Sequence, residues 1–183
     1  MKFTETPING AFVVGIEPRT DERGFFARAY AAEEMAAVGI PMTISQSNIS
    51  VTRIRGTVRG MHFQVEPAPE AKLVRCPRGA MYDVVADVRP DSPTYGSWFG
   101  VELTQYNNDA LYLPLGCAHG FQTLVDDTVM YYDASAPYTP DAVRGARYDD
   151  PILEVIWPLP VAMISEQDRS WPLLSDQVAE TGH

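Results

Sequence analysis

Histidine and cysteine are scarce in this chain, with three and two respectively among 183 residues. Cys76 and Cys117 build no disulfide framework and read as two buried thiols in a reducing compartment. One of the histidines is the last residue, His183, and no H-x-H pair or cysteine cluster occurs. That argues against a catalytic metal site, which needs three or more converging ligands. Positive charge is short as well: 14 Lys and Arg face 24 Asp and Glu, for a formal net charge of -10. Nucleic acid is therefore not expected as a partner, since phosphate backbones need a basic surface. A small phosphorylated ligand needs only a few local cations and stays open. No run reaches the roughly 18 apolar residues of a membrane span. The opening stretch MKFTETPING has no apolar region of a secretory leader. No internal repeat or low-complexity linker is seen. These absences point to a cytoplasmic, acidic protein with no membrane partner, built as one domain over residues 1–183.

What the chain does have is punctuation. Fifteen prolines and thirteen glycines divide it into short runs, as many short strands joined by turns require. GAFVVGIEP reads as a strand, and GFFARAY continues the pattern after the turn TDERG. ISQSNISVTR, GTVRGMHFQ, AKLVRCPRG, AMYDVVADVRP, WFGVELT, ALYLPLGCAHGFQTL and TVMYYDASAPY are each of strand length. In MYDVVADVR, Asp83, Val85, Asp87 and Arg89 share one face, and Tyr82, Val84, Ala86 and Val88 the other. The best helix candidate is Ala31 to Gly39, with Gly39 as its stop. A short helix is expected near SEQD. Regular short strands with little helix argue for an antiparallel sandwich or barrel, the class to which jelly rolls belong.

The stretch VRGMHFQ carries a cation and a proton acceptor three residues apart, Arg59 and His62. Strict alternation sends them to opposite faces. Gly60 between them is suited to a bulge that re-aims one so that both share a site; a regular strand at Gly60 would count against this. A core imidazole satisfied by a carbonyl is the plain alternative for His62. His119, between two glycines in PLGCAHGFQ, reads equally well as a structural histidine or a ligand contact. Lys72 begins a strand, where a lysine is ordinarily a solvated surface residue. Tyr131 and Tyr132 are adjacent, so one faces in and can exchange a proton there; the pattern leaves open which. Arg23 in DERGFF reads as a turn residue beside Gly24.

Taken in order, DERGFF, QSNIS, GTVRGMHFQ, KLVRC, AMYDVVADVRPDSPTYGSW, YLPLGCAHGFQTL, MYYDASAPYTP, RYDDP, WPL and ISEQD resemble the dTDP-4-dehydrorhamnose 3,5-epimerase family over about residues 20 to 170. The resemblance implies a mainly-β, cupin-like double-stranded β-helix (jelly roll) barrel with a few short helices. It implies a homodimer to which the N-terminal strands, about residues 1–30, contribute, with no metal or organic cofactor. The substrate class it implies is a nucleotide-diphosphate sugar, a nucleotide-linked 4-keto-6-deoxyhexose. A C4 ketone acidifies the protons at C3 and C5, so inversion needs a base, an acid opposite it and a positive charge near the enolate oxygen. By resemblance His62 is the base, Asp168 the carboxylate holding it, Tyr132 the acid and Lys72 the cation beside the C4 oxygen. Arg23, Arg59, Gln46, Asn48 and His119 match nucleotide or sugar contacts, and Asp83 is a further candidate.

The chain departs from many members at Arg28, where they carry glutamate, at Val143, where they carry an acidic residue, and at Gln167, where they carry a basic one. Arg28 is kept among the binding residues, with altered charge. The reaction type is thus better specified than the nucleotide, and C3-only and C3-plus-C5 inversion share the same His and Tyr. Two other readings are a nucleotide-sugar 3,4-ketoisomerase, which tends to use paired histidines, and a sugar-binding jelly roll without catalysis.

Overall fold

The computed structural model describes residues 1–180, with side chains to residue 177; His183 and the last residues of the expected 1–183 domain lie outside this range. The N-terminal third holds β1 (Lys2–Glu5), β2 (Phe12–Gly15), β3 (Arg19–Asp21), β4 (Gly24–Phe26) and α1 (Ala32–Ala37). The middle holds β5 (Gln46–Thr52), β6 (Val58–Gln64), β7 (Lys72–Arg78), β8 (Ala80–Asp87) and β9 (Trp98–Thr104). Then come β10 (Ala110–Leu113), β11 (Cys117–Thr123), β12 (Thr128–Ala134), β13 (Val143–Gly145), α2 (Glu166–Ser170) and α3 (Leu174–Glu180). The strands form a six-stranded sheet in the order β1-β2-β10-β7-β12-β5 and a five-stranded sheet in the order β13-β6-β11-β8-β9. β3 and β4 make a separate two-stranded ribbon. The two large antiparallel sheets face one another as a cupin-like jelly roll.

Alternation along each strand decides what lies between the sheets. Val74, Leu111 and Met130 from the first sheet meet Met81, Val85, Leu103 and Phe121 from the second in one buried cluster. The outer face of the second sheet is also covered: Met61, Val84, Ala86 and Ala118 pack beneath Leu153, Leu174 and Trp157 of the C-terminal segment. Both faces of β8 are therefore dry, and Asp83 and Asp87 point inward. β11 is buried at every position, its polar His119, Gln122 and Thr123 included. α1 seals the outer face of the first sheet by setting Met35 against Leu73 and Tyr112. Burial of one such side chain contributes about 1.5–3 kcal/mol. The helix stops where expected: Gly39 takes a left-handed φ of 81° and its N–H bonds to Ala36 O. Gly79, at φ 85° between β7 and β8, is needed for a second reason, because a Cβ there would lie 2.8 Å from Thr128 Oγ1.

Candidate active site

A cleft of about 420 Å³ opens between the sheets. The six-stranded sheet supplies Gln46 and Asn48 from β5, Lys72 from β7 and Tyr132 from β12. The five-stranded sheet supplies Arg59 and His62 from β6 and His119 from β11, and α2 supplies Asp168. Groups that can give and take protons thus stand on opposing walls.

Arg59 and His62 share the cleft because β6 is bulged. Arg59 pairs with Phe121 and His62 with His119, so Gly60 and Met61 oppose the single residue Gly120. The extra residue reverses the parity of the strand. Gly60 has φ 125°, and a Cβ on it would lie 2.5 Å from Gly120 Cα and 2.7 Å from His119 O. Only glycine fits that approach. Arg59 Nε then donates to Thr52 Oγ1 at 3.0 Å.

His62 meets Asp168 across a long sequence gap. Ser165 caps α2 by accepting from Asp168 N at 3.0 Å, which holds the aspartate in the first turn. Asp168 Oδ1 lies 2.5 Å from His62 Nε2, and Gly60 N–H donates to Oδ2 at 3.4 Å. Burial pushes the Asp168 carboxyl up, but His62, Gly60 and Ser165 outweigh it and hold it below the usual carboxylate range. An ionised carboxylate on Nε2 places the ring hydrogen there and leaves the lone pair on Nδ1 of the neutral imidazole. Trp171, just after α2, sets its ring edge toward His62 with centroids 6.2 Å apart. Gly145, the residue paired with His62, has no Cβ and so leaves room for that indole.

On the other wall, Tyr132 rather than Tyr131 faces the cleft; Tyr131 donates to Asp133 Oδ1 at 3.0 Å. Burial, then the Glu70 charge and Tyr138, raise the Tyr132 hydroxyl above its ordinary value. Lys72 is not a solvated surface lysine: it is 7% exposed and pairs with Glu70 Oε1 at 2.7 Å. It points inward because alternation along β7 puts it on the same face as Val74 and Cys76 of the inter-sheet cluster. Gln46 Nε2 donates to Asn48 Oδ1 at 3.4 Å while Gln46 Oε1 accepts from Tyr138 N. Asn48 Nδ2 is buried and has no protein partner among the described residues, a donor directed at the cleft lining.

His119 lines the cleft and is held from behind, its Nε2 2.7 Å from Asp83 Oδ1. Asp83 does not line the cleft; it sits fully buried beneath His119, with Oδ2 unpartnered among the described residues. Burial raises its carboxyl above the usual range, although His119 and Lys72 pull it down.

Two expected binding residues lie away from this chain's own cleft. Arg23 lies in the turn of the β3–β4 ribbon with its side chain 85% exposed and bound to Asp21. Arg28 pairs with Glu34 beside α1. Neither lines the cleft, because the ribbon stands apart from both large sheets. Val143 and Gln167, where charge is altered, do line it. Glu70 and Trp171 escaped the sequence reading. The one available signal for Glu70 was its i, i+2 spacing from Lys72, which puts both on one side of an extended chain. Among the described residues, no group of three or more His, Cys, Asp and Glu is arranged to hold a metal ion. Nor is any helix there long and apolar enough to cross a membrane.

Fold and cleft together define a cupin-like jelly roll with titratable side chains on opposing walls of a cavity between its sheets. The family model for dTDP-4-dehydrorhamnose 3,5-epimerase matches residues 5–176. The chain is 44% identical over 164 residues to a dTDP-4-dehydrorhamnose 3,5-epimerase of Sinorhizobium fredii, covering 88% of this chain and 84% of that one. It is 38% identical over 177 residues to a dTDP-4-dehydrorhamnose 3-epimerase of Streptomyces niveus, covering 96% and 85%. The crystal structure of a dTDP-6-deoxy-D-glucose-3,5-epimerase from Legionella pneumophila in complex with dTDP-4-keto-L-rhamnose superposes with a TM-score of 0.90 at 33% identity, covering 98% and 95%. The chain belongs to the dTDP-4-dehydrorhamnose 3,5-epimerase family and is an isomerase.

Proposed function

We propose that this protein inverts C3, or C3 and C5, of a dTDP-linked 4-keto-6-deoxyhexose by proton transfer through an enolate. The observation that carries the reading is the placement of His62, backed by Asp168, and Tyr132 on opposing sheets of one cleft. His62 removes the proton next to the ketone, and the C–H electron pair moves onto the C4 oxygen. Lys72 stabilises the charge that develops there. Tyr132 delivers its hydroxyl proton to the opposite face of the carbon and is reprotonated from solvent. Arg59 supplies a cation for the diphosphate, and Gln46, Asn48 and His119 bind polar groups of the ligand.

The reading includes pairing with a second copy through the N-terminal region, about residues 1–30. The exposed ribbon supports this: Phe25 and Phe26 on its second strand are 55% and 75% exposed, an apolar patch that monomers rarely leave in water. In such a pair Arg23 and Arg28 can serve only a neighbour's cleft. A solution mass of twice 20.3 kDa is the expected result of light scattering.

The test is incubation with dTDP-4-keto-6-deoxyglucose and reading of the sugar configuration by proton NMR. Inversion at C3 with or without C5 supports the proposal. A ketone moved from C4 to C3 would instead identify a ketoisomerase, and unchanged sugar with tight dTDP-sugar binding a non-catalytic binder.

A further inference from the structure

Glu70 places a carboxyl group in the cleft wall, and the proposed chemistry gives it no role. Its Oε1 lies 2.7 Å from Lys72 Nζ, with the two side chains 11% and 9% exposed. Both line the same cleft as Tyr132. An ammonium buried this far is costly unless an opposite charge meets it. Lys72 and Tyr132 are also useful to the reaction only in their protonated forms, and a neighbouring negative charge favours those forms.

We propose that Glu70 is a positioning residue that pins the Lys72 ammonium to the cleft wall and keeps Tyr132 a phenol. The inference rests on the acid and cation roles proposed above. The direction agrees with the raised Tyr132 hydroxyl, to which burial contributes most and Glu70 next. Other charged and titratable groups face the same space. Arg59 and His62 come from β6, His119 from β11, Tyr138 from the loop after β12 and Asp168 from α2, with Asp83 of β8 behind His119. Among these only Glu70 is in ion-pair contact with Lys72.

The test uses the full chain without substrate first. Protein labelled with 13C at tyrosine Cζ and 15N at lysine Nζ is titrated as wild type, Glu70→Gln and Glu70→Asp. The Tyr132 and Lys72 signals are identified by their loss in Tyr132→Phe and Lys72→Met. In Glu70→Gln the Tyr132 titration is expected at lower pH than in wild type, with the Lys72 ammonium signal lost to faster exchange with water. Glu70→Asp restores the charge and moves both back toward wild type. Turnover of dTDP-4-keto-6-deoxyglucose then shows an alkaline limb displaced to lower pH in Glu70→Gln, with KM changed by no more than about twofold. An unmoved Tyr132 titration and a retained Lys72 signal in Glu70→Gln overturn the inference. The two readings separate cleanly: if the titration moves but the wild type never turns over the sugar, the Glu70 assignment stands and the epimerase reading falls.

Discussion

His62 and His119 stand directly opposite one another in the pairing of β6 with β11, and each gives its Nε2 to a different carboxylate, Asp168 at 2.5 Å and Asp83 at 2.7 Å. The pairs are not equivalent. Asp168 is held below the ordinary carboxylate range, whereas burial holds Asp83 above it. An ionised carboxylate makes the attached imidazole more basic, which favours His62 over His119 as the base of the proposed mechanism. Asp168→Asn is accordingly expected to lower kcat by about a hundredfold or more, with Asp83→Asn costing roughly tenfold or less. Steady-state kinetics on both variants, with circular dichroism to confirm folding, checks the asymmetry.

Tyr132→Phe keeps the ring and removes the hydroxyl proposed as the acid. Completed inversion is expected to fall by about a hundred- to ten-thousandfold. Some solvent deuterium still enters the substrate, because His62 can remove and return a proton on one face. Product configuration and deuterium content, measured in the same NMR samples, separate the two effects.

Gly60→Ala tests the bulge. The added Cβ meets Gly120 Cα and His119 O at 2.5 and 2.7 Å, both of them backbone atoms that cannot step aside. With φ at 125°, the loss in unfolding free energy is expected at ~2–4 kcal/mol. Urea denaturation reads the stability. Activity falls further than stability alone explains, because Arg59 and His62 lose their common side.

Asp87 contributes to acid stability. Its carboxylate is buried and receives Arg89 Nη2 at 2.7 Å, Ser92 Oγ at 2.5 Å and Thr94 Oγ1 at 2.6 Å. Burial alone would push it up, but Arg89, Ser92 and Thr94 win and bring it down to about 2. The unfolded chain, at about 3.9, then binds the proton more readily. The contribution, about 2 kcal/mol, is complete above pH ~4 and is lost as pH falls from ~4 to ~2. Unfolding free energies at pH 6, 4 and 3 should converge for wild type and Asp87→Asn as the pH drops.

Much of this architecture was legible in the residues. The strand runs, the Gly39 helix stop and the two faces of MYDVVADVR follow from local period and turn chemistry. Gly60 signalled the bulge because glycine inside a strand asks for a reason. Three things were not local. β1, β13 and α3 are too short to show a period, and packing decides them. The burial of Lys72 depends on two neighbouring strands, not on its own position in sequence. The meeting of Asp168 with His62, 106 residues apart, was reached only through family resemblance. The place of Arg23 and Arg28 is not local either, since a motif match says nothing about which cleft a protruding ribbon serves.

Deuterium exchange in D2O tests the central claim most directly. Wild type and His62→Ala are each given dTDP-4-keto-6-deoxyglucose, and deuterium entry at C3 and C5 is followed by NMR. Deuterium is expected at C3, with or without C5, in the wild type, and none above the uncatalysed rate in His62→Ala. Equal exchange in both proteins, or none in a folded wild type that binds the nucleotide sugar, would contradict it.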